Sequence, residues 1–294
     1  MRSGFSLVGL KSAGEVKRLL DAFPEAWCEL PYTLSAAFLE ELSPVVKGRA
    51  ASMHCLCPRR KFFPNFASTD PGVLEWSEKE MLKDAGRALS YGVDILVLHP
   101  GYLMDDLVPV DPSERIALAG SRLSKYAMRQ EGSVCVPDYP ERIEYREALE
   151  RMFSRLGILS DTLAGEGLTL AVENLNPRSG YMFVHPGDLI RAAGETQLRF
   201  ALDIGHLWMS AELFSLDFLR TLEDILATGR VVTSHLHSNP SDRAKGIYLD
   251  SHQGIDRHRL PWSCVAGMLK QAGVNMMLEV TEEHEHNLEL LFSC

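Results

Sequence analysis

The chain has 294 residues, of which 46% are hydrophobic and 24% charged, as expected of a globular protein with a large core. A net charge of −10 argues against a general polyanion-binding protein, and therefore against duplex DNA as a partner. No apolar run reaches the roughly 18 residues of a transmembrane helix, and the N-terminus lacks a signal-peptide pattern. With only six cysteines in a long chain, we expect a cytoplasmic protein with reduced thiols and no membrane contact.

Strand-like and helix-like segments alternate along the chain. Strands are predicted at residues 5–10, 26–30, 51–54, 94–99, 168–173, 198–203, 231–235 and 275–279. Helices are predicted at residues 12–22, 33–46, 73–91, 140–164, 185–194, 212–227 and 262–272. This alternation predicts a parallel sheet with right-handed crossovers, and the eight strands predict closure into a single-domain α/β fold, a (β/α)8 barrel over residues 1–294.

One interval interrupts the regular spacing of the predicted strands. The step from His99 to Glu173 is the longest between successive strand ends, and the surplus is a long loop insertion at about residues 101–139, after the fourth strand. A loop of this length in a compact domain is usually functional or a linker. We therefore predict a lid or an interface arm over a site, with a surface excursion unrelated to substrate as the alternative.

The last six predicted strands end in side chains that can bind metal ions. The nine potential ligands at or just past these ends are His54, His99, Glu173, Asp203, His206, His235, Asp250, His252 and Glu279. Because the carboxyl ends of barrel strands converge at one face, these side chains are expected to form one site. A single such residue is more often a hydrogen-bonding cap, but four carboxylates and five imidazoles together require cations. The mixed donors suit Zn²⁺ first, with Mn²⁺ or Fe²⁺ as alternatives.

The motifs around these residues, taken in order, resemble a known family. They are SMHCLCP (52–58), LVLHPGY (96–102), LAVENLNP (170–177), FALDIGHLWMS (200–210), VTSHLHSN (232–239), LDSHQG (249–254) and MMLEVT (276–281). The set resembles the xylose isomerase-like TIM barrel superfamily, which includes sugar phosphate isomerases and epimerases and the endonuclease IV-like enzymes of AP endonuclease family 2. The resemblance covers about residues 51–281.

The resemblance to endonuclease IV implies up to three divalent metal ions per chain. The first ion would be held by His54, His99 and Glu173. The second would be held by Glu173, Asp203, His235 and Glu279. The third would be held by His206, Asp250 and His252. In the simpler members of the superfamily a single metal is bound, and some of these residues contact substrate instead.

The substrate-binding positions of both known branches differ in this sequence. Ketose epimerases use two metal-bound Glu residues to transfer protons, and the resemblance places Glu173 and Glu279 at those positions. Their further Glu and Arg, each six residues after a ligand, correspond to Ser179 and Ser241 here. Endonuclease IV has a DNA-penetrating Tyr at the position of Cys57. The resemblance therefore implies a retained metal site with diverged substrate contacts.

We predict a metal-dependent hydrolase of a phosphoester or phosphodiester in a metabolite, with Glu173 and Glu279 as catalytic residues. The alternative is a single-metal sugar or sugar-phosphate isomerase or epimerase, in which the same pair transfers a proton. An AP endonuclease and a non-catalytic metal-binding or ligand-binding barrel remain as lesser alternatives. Predicted substrate contacts are His237, which shares a face with His235, and the loop residues Arg178 and Arg243.

Overall fold

The computed structural model describes residues 1–128 and 133–293, and at its centre is a closed barrel of parallel strands. The barrel strands are β1 (Ser3–Ser6), β2 (Trp27–Leu30), β3 (Ala50–His54), β5 (Ile95–Leu98), β7 (Thr169–Glu173), β8 (Arg199–Asp203), β9 (Val231–Leu236) and β10 (Asn275–Leu278). Each strand pairs with its neighbours in chain order, and β1 closes the barrel by pairing with β10. The predicted single (β/α)8 barrel architecture is confirmed.

Helices surround the barrel. Those of the described residues are α1 (Ala13–Ala22), α2 (Ala36–Val46), α3 (Pro71–Ser90), α4 (Pro112–Leu123), α5 (Ile143–Gly165), α6 (Pro186–Glu195), α7 (Ile204–Phe214), α8 (Phe218–Ala227), α9 (Trp262–Gln271) and α10 (His284–Ser293). Side-chain caps explain several of their starts: Ser12 caps α1 by accepting from Glu15 N, and Asp70 caps α3. Among the helices of the described residues, none combines the length and the hydropathy that a membrane span needs.

The predicted first strand at residues 5–10 is wrong in its bounds, because β1 runs from Ser3 to Ser6. Gly4 pairs with Trp27 on one side and Met277 on the other. A Cβ on Gly4 would lie 1.8 Å from Trp27 O, so the close approach of β1 and β2 requires glycine here. Ser and Gly have low strand propensity, so the sequence SGFS does not suggest a strand, and the apolar residues that did suggest one continue into a turn.

The predicted helix at residues 212–227 is also wrong, because the structure has two helices there, α7 and α8. Helix α7 begins directly after β8, where the Asp203 side chain accepts a hydrogen bond from His206 N at 2.6 Å. Ser215 ends it in the left-handed conformation with φ 61°, and Asp217 caps α8. These local caps divide an apolar stretch that has helical periodicity throughout.

The insertion follows the fourth barrel strand as predicted, but its described residues include regular secondary structure rather than forming a plain loop. It contains α4 and β6 (Val108–Pro109), which pairs in antiparallel fashion with β4 (Phe62–Phe63) from the segment after β3. Tyr126 and Tyr139 are buried within it, and a bridge between Tyr102 and Tyr181 ties its start to the segment after β7. Its use as a lid or an interface arm stays a prediction, and residues 129–132 of it lie outside the described part.

Candidate metal centre

All nine predicted ligands lie at the carboxyl face of the barrel. His54, Glu173 and Asp203 are the last residues of β3, β7 and β8. His99 and Glu279 directly follow β5 and β10. The described residues form three groups whose potential ligand atoms lie within 4.8 Å of one another. The groups are His54, His99 and Glu173; Glu173, Asp203, His235 and Glu279; and Asp203, His206, His237 and His252.

The first group places two imidazoles on one carboxylate oxygen. His54 Nε2 lies 2.9 Å and His99 Nε2 lies 3.3 Å from Glu173 Oε2. The two rings are perpendicular, with centroids 4.8 Å apart. His54 is almost fully buried and His99 lies nearer the opening of the site. An ion held by these three side chains would therefore be reached from the side of His99.

The second group is centred on His235 at the floor of the site. Its Nδ1 atom lies 3.2 Å from Glu173 Oε1, 3.3 Å from Glu279 Oε2 and 3.9 Å from Asp203 Oδ2. His235, Glu173 and Asp203 are buried almost completely. Glu173 presents Oε2 to the first group and Oε1 to the second, so it could contribute a ligand atom to both.

The third group contains a residue predicted as a substrate contact. His237 Nε2 lies 3.1 Å from Asp203 Oδ1, and the His237 ring stacks on His252 with centroids 3.9 Å apart. The predicted ligand Asp250 borders this group, with Oδ2 3.3 Å from His206 Nε2 and Oδ1 3.1 Å from His252 Nδ1. His237 and Asp250 therefore both lie at the third group, and both side chains have atoms that can bind a metal ion.

Two backbone features position the third group. Gly205 lies in the first turn of α7 directly against His237, and a Cβ there would lie 2.0 Å from His237 Cε1. The glycine between Asp203 and His206 therefore makes room for the imidazole. His252 adopts φ 46°, a left-handed conformation that is uncommon for residues other than glycine, and its ring stacks on His237.

Glu29 is a site residue that the sequence analysis missed. It lies within β2 and is fully buried, with Oε2 3.0 Å from His235 Nε2. Ser52 Oγ donates a hydrogen bond to the same oxygen at 2.7 Å. A carboxylate on the far nitrogen of a ligating imidazole fixes the orientation and tautomer of the ring. A lone Glu in the apolar run AWCEL was the available signal, because buried glutamates are rare unless paired.

A central pocket with a cavity volume of about 70 Å³ opens above the three groups. Its lining residues are Tyr32, His99, Arg115, Glu173, Leu175, Asn176, Tyr181, His206, Asp250, His252 and Glu279. Arg178 and Arg243, predicted as substrate contacts, do not line this pocket. Arg243 is exposed in a short 3₁₀ turn, where its backbone N–H donates to Glu212. Arg115, from the insertion, was not predicted.

The carboxylates and imidazoles strongly shift one another's pKa. Burial would raise the pKa of Glu173, but its contacts with His235 and other imidazoles hold that pKa well below its ordinary value. Burial likewise disfavours charged His206, yet the Asp203 carboxylate and its neighbours raise the pKa of His206 to about 9. Burial lowers the pKa of His99 to about 4, which leaves this imidazole neutral and able to bind metal at neutral pH.

The donor set fits divalent metal ions. Opposing imidazoles such as His235 and His252 lower the pKa of buried Glu279 to about 2 despite its desolvation, so this carboxylate is ionised and depends on positive charge nearby. Asp250 Oδ1 is buried, and its 3.1 Å contact with His252 Nδ1 lacks hydrogen-bond geometry, so no described residue hydrogen-bonds to this oxygen. A metal ion would satisfy that oxygen and replace the protons that the imidazoles otherwise take up. The site is therefore able to hold metal ions with N and O donors.

The barrel and the ligand groups define a TIM-barrel enzyme with a site able to hold metal. The chain belongs to the xylose isomerase-like TIM barrel family, because the model of that family matches residues 22–293. It is 23% identical to the probable endonuclease 4 of Mycobacterium leprae (strain Br4923), over 86% of this chain and 82% of that protein.

Solved structures share the fold along the whole chain. A D-tagatose 3-epimerase-like protein superimposes with a TM-score of 0.65 at 17% identity, covering 100% of this chain and 99% of the other. A Thermus thermophilus protein soaked with ZnCl₂ has a TM-score of 0.54 at 23% identity, covering 100% and 97% of the two chains. At these identities the likeness establishes the barrel fold and leaves the reaction open.

Proposed function

We propose that this protein is a metal-dependent hydrolase that cleaves a phosphoester or phosphodiester bond in a small metabolite. The observation that carries the proposal is the sharing of carboxylates between ligand groups. Glu173 belongs to the first and second groups, and Asp203 belongs to the second and third. Three adjacent groups linked in this way favour a multinuclear centre over a single metal site.

The chemistry of such a centre suits phosphoryl substrates. Divalent ions bound there would generate a nucleophile from water at neutral pH and neutralise the charge of a phosphoryl group. The protein residues orient this centre. His235 is fixed between Glu29 and Glu173, and His206 is fixed by the backbone O of Asn174 at 2.9 Å from its Nδ1. The pocket is lined by three of the candidate ligands, His99, Asp250 and His252, so a bound substrate would lie next to the metal ions.

The pocket favours a small substrate. Its cavity volume is about 70 Å³, which is below the usual range of metabolite sites and leaves room for only a compact group of a substrate. The sugar-binding Glu and Arg of the ketose epimerases correspond to Ser179 and Ser241, which are both buried. The DNA-penetrating Tyr of endonuclease IV corresponds to Cys57, whose side chain is buried rather than projecting. These differences and the net charge of −10 disfavour both a free sugar and duplex DNA.

The second candidate function is a sugar or sugar-phosphate epimerase. Glu173 and Glu279 face each other across His235 Nδ1, with oxygens 3.2 and 3.3 Å from that atom. Two carboxylates on opposite sides of one bound substrate could remove and return a proton. In that case the second group alone would hold a single metal, and the first and third groups would contact substrate.

Metal content and activity together test the proposal. Protein purified without chelator should contain close to three zinc ions per chain, one for each group. It should hydrolyse bis(p-nitrophenyl) phosphate or p-nitrophenyl phosphate. His252→Ala should lose one ion and Glu173→Gln at least one, and each should lower kcat/KM at least about 100-fold, since even outer-shell changes cost up to that much. His286→Ala is the matched control, because His286 is an exposed histidine paired with Asp256 away from the site.

A different result would favour the second candidate. One ion per chain that persists in His252→Ala, with no ester hydrolysis, contradicts the hydrolase. Exchange of a substrate C–H proton with D₂O during incubation with ketohexoses or their phosphates, abolished in Glu173→Gln and Glu279→Gln, would then establish the epimerase.

A further inference from the structure

The central pocket contains a cation that belongs to none of the ligand groups. Arg115 lies in α4 of the insertion, and its side chain reaches the pocket wall. Among the described lining residues it is the one arginine or lysine. Guanidinium groups are always protonated in proteins and bind phosphate oxygens in a two-pronged geometry. Its position in the pocket therefore calls for an explanation.

Neutral groups hold the Arg115 guanidinium in place. Its Nε donates to Tyr181 Oη at 2.5 Å, and its Nη1 donates to the carbonyl oxygens of Pro109 and Val110 at 2.9 and 2.8 Å. Its Cζ lies 5.2 Å from the centre of the Phe63 ring. These contacts fix the plane of the guanidinium, and Nη2 donates no hydrogen bond to any residue that the structure describes.

No carboxylate of the described residues forms an ion pair with Arg115 within 4.0 Å, although Glu173, Asp250 and Glu279 line the same pocket. The contrast with Arg60 is clear, because that part-buried arginine pairs with both Glu80 and Asp84. A part-buried guanidinium without an anionic partner is costly unless a ligand provides the negative charge.

Arg115 lies on the side of the first ligand group. The Phe63 ring below its guanidinium packs against His99, with centroids 4.8 Å apart. Tyr102 Oη, in the same aromatic cluster, lies 3.3 Å from His99 Nδ1. An anion bound to Arg115 would therefore lie in the central pocket beside His99.

We propose that Arg115 is the anion-binding residue of the central pocket and that it binds the oxygens of the substrate's phosphoryl group. This inference rests on the proposed function, since the phosphoryl group is that of the hydrolysed ester. It narrows the substrate class to small phosphorylated metabolites and gives the insertion a direct role in substrate binding.

Calorimetric titration of the zinc-loaded protein with inorganic phosphate tests this role without requiring turnover. Arg115→Gln should bind phosphate at least about tenfold more weakly than the wild type, because it loses charge-assisted hydrogen bonds. Arg122→Gln on the same helix is the matched control, since Arg122 is exposed and pairs with Asp106. Zinc content and Tm are measured for every variant, so that a lost metal or an unfolded protein is recognised.

Arg115→Lys keeps the charge and serves if Arg115→Gln does not fold. It should bind phosphate about threefold or more weakly than the wild type, because a single ammonium cannot replace the guanidinium fork. Unchanged phosphate binding in the folded Arg115 variants would overturn the proposal and assign the residue to support of the insertion. Acetate that binds as tightly as phosphate, with the same dependence on Arg115, would overturn the phosphoryl assignment.

The two proposals fail differently. Phosphate binding that depends on Arg115, in a protein that hydrolyses neither nitrophenyl ester, supports the anion site and contradicts the hydrolase. Hydrolysis by the wild type, with unchanged phosphate binding in Arg115→Gln, supports the hydrolase and contradicts the anion site.

Discussion

Replacing Glu29 by glutamine tests how the barrel floor supports the metal site. The carboxylate lies 3.0 Å from His235 Nε2 and is fully buried, so its charge acts on the imidazole with little screening by solvent. Burial would lower the pKa of His235, yet Glu29 and the other carboxylates raise it well above its ordinary value. Glutamine keeps the shape and can still accept from Nε2–H, but it removes the negative charge that makes the imidazole a stronger ligand.

Outer-shell partners of this kind typically contribute about 10- to 100-fold to metal affinity, or roughly 1.4 to 2.7 kcal/mol. We expect Glu29→Gln to weaken zinc binding by that factor, measured by competition with a chromogenic chelator. Glu25→Gln, an exposed change just before β2, should leave the affinity unchanged. Wild-type zinc affinity in Glu29→Gln would refute the argument that this carboxylate orients and polarises His235.

Further changes test other parts of the structure. Gly205→Ala should displace His237 and reduce metal content by one ion, although alanine in a helix is ordinarily favoured by up to about 1 kcal/mol; an unchanged metal content would count against His237 as a ligand. Burial raises the pKa of Asp188 to about 7, so the folded state favours the protonated carboxyl group. The stability gained from this preference is complete below pH 3.8, the ordinary pKa of the group, and is lost as the pH rises towards 7. Asp188→Asn should therefore gain stability relative to the wild type as the pH increases, by at most about 1.4 kcal/mol per unit, and parallel Tm–pH curves would contradict this. Asn65→Ala should cost about 2–4 kcal/mol in urea unfolding, because the buried Asn65 side chain bonds three backbone groups; a loss below about 1 kcal/mol would show that water replaces them.

The strand ends were predictable because each hydrophobic run is followed by an imidazole or a carboxylate side chain. His54, Glu173 and Asp203 were placed in this way, and each is the last residue of its strand. Such patterns do not reveal what a side chain contacts across the barrel. Glu29 was missed because it lies inside a strand, and its partner His235 is distant in sequence.

Arg115 was missed for a different reason. The insertion has no periodic relation to the barrel, so its sequence does not indicate which of its residues reach the pocket. The pairing of Phe62 with Pro109 and of Phe63 with Val108 decides this, and no pattern in either segment predicts that register. Sequence periodicity therefore placed the candidate metal ligands at one face of the barrel, but it did not indicate which residues of the insertion line the pocket.

The short sheet formed by β4 and β6 joins two excursions that leave the barrel after different strands. Val110 N also donates to Lys61 O at 2.9 Å, which extends the connection beyond the paired residues. Phe63 from one excursion and Arg115 from the other then meet over the pocket. The two segments are therefore structurally coupled, so a redesign of this pocket wall that leaves the candidate metal ligands intact would have to exchange both segments together.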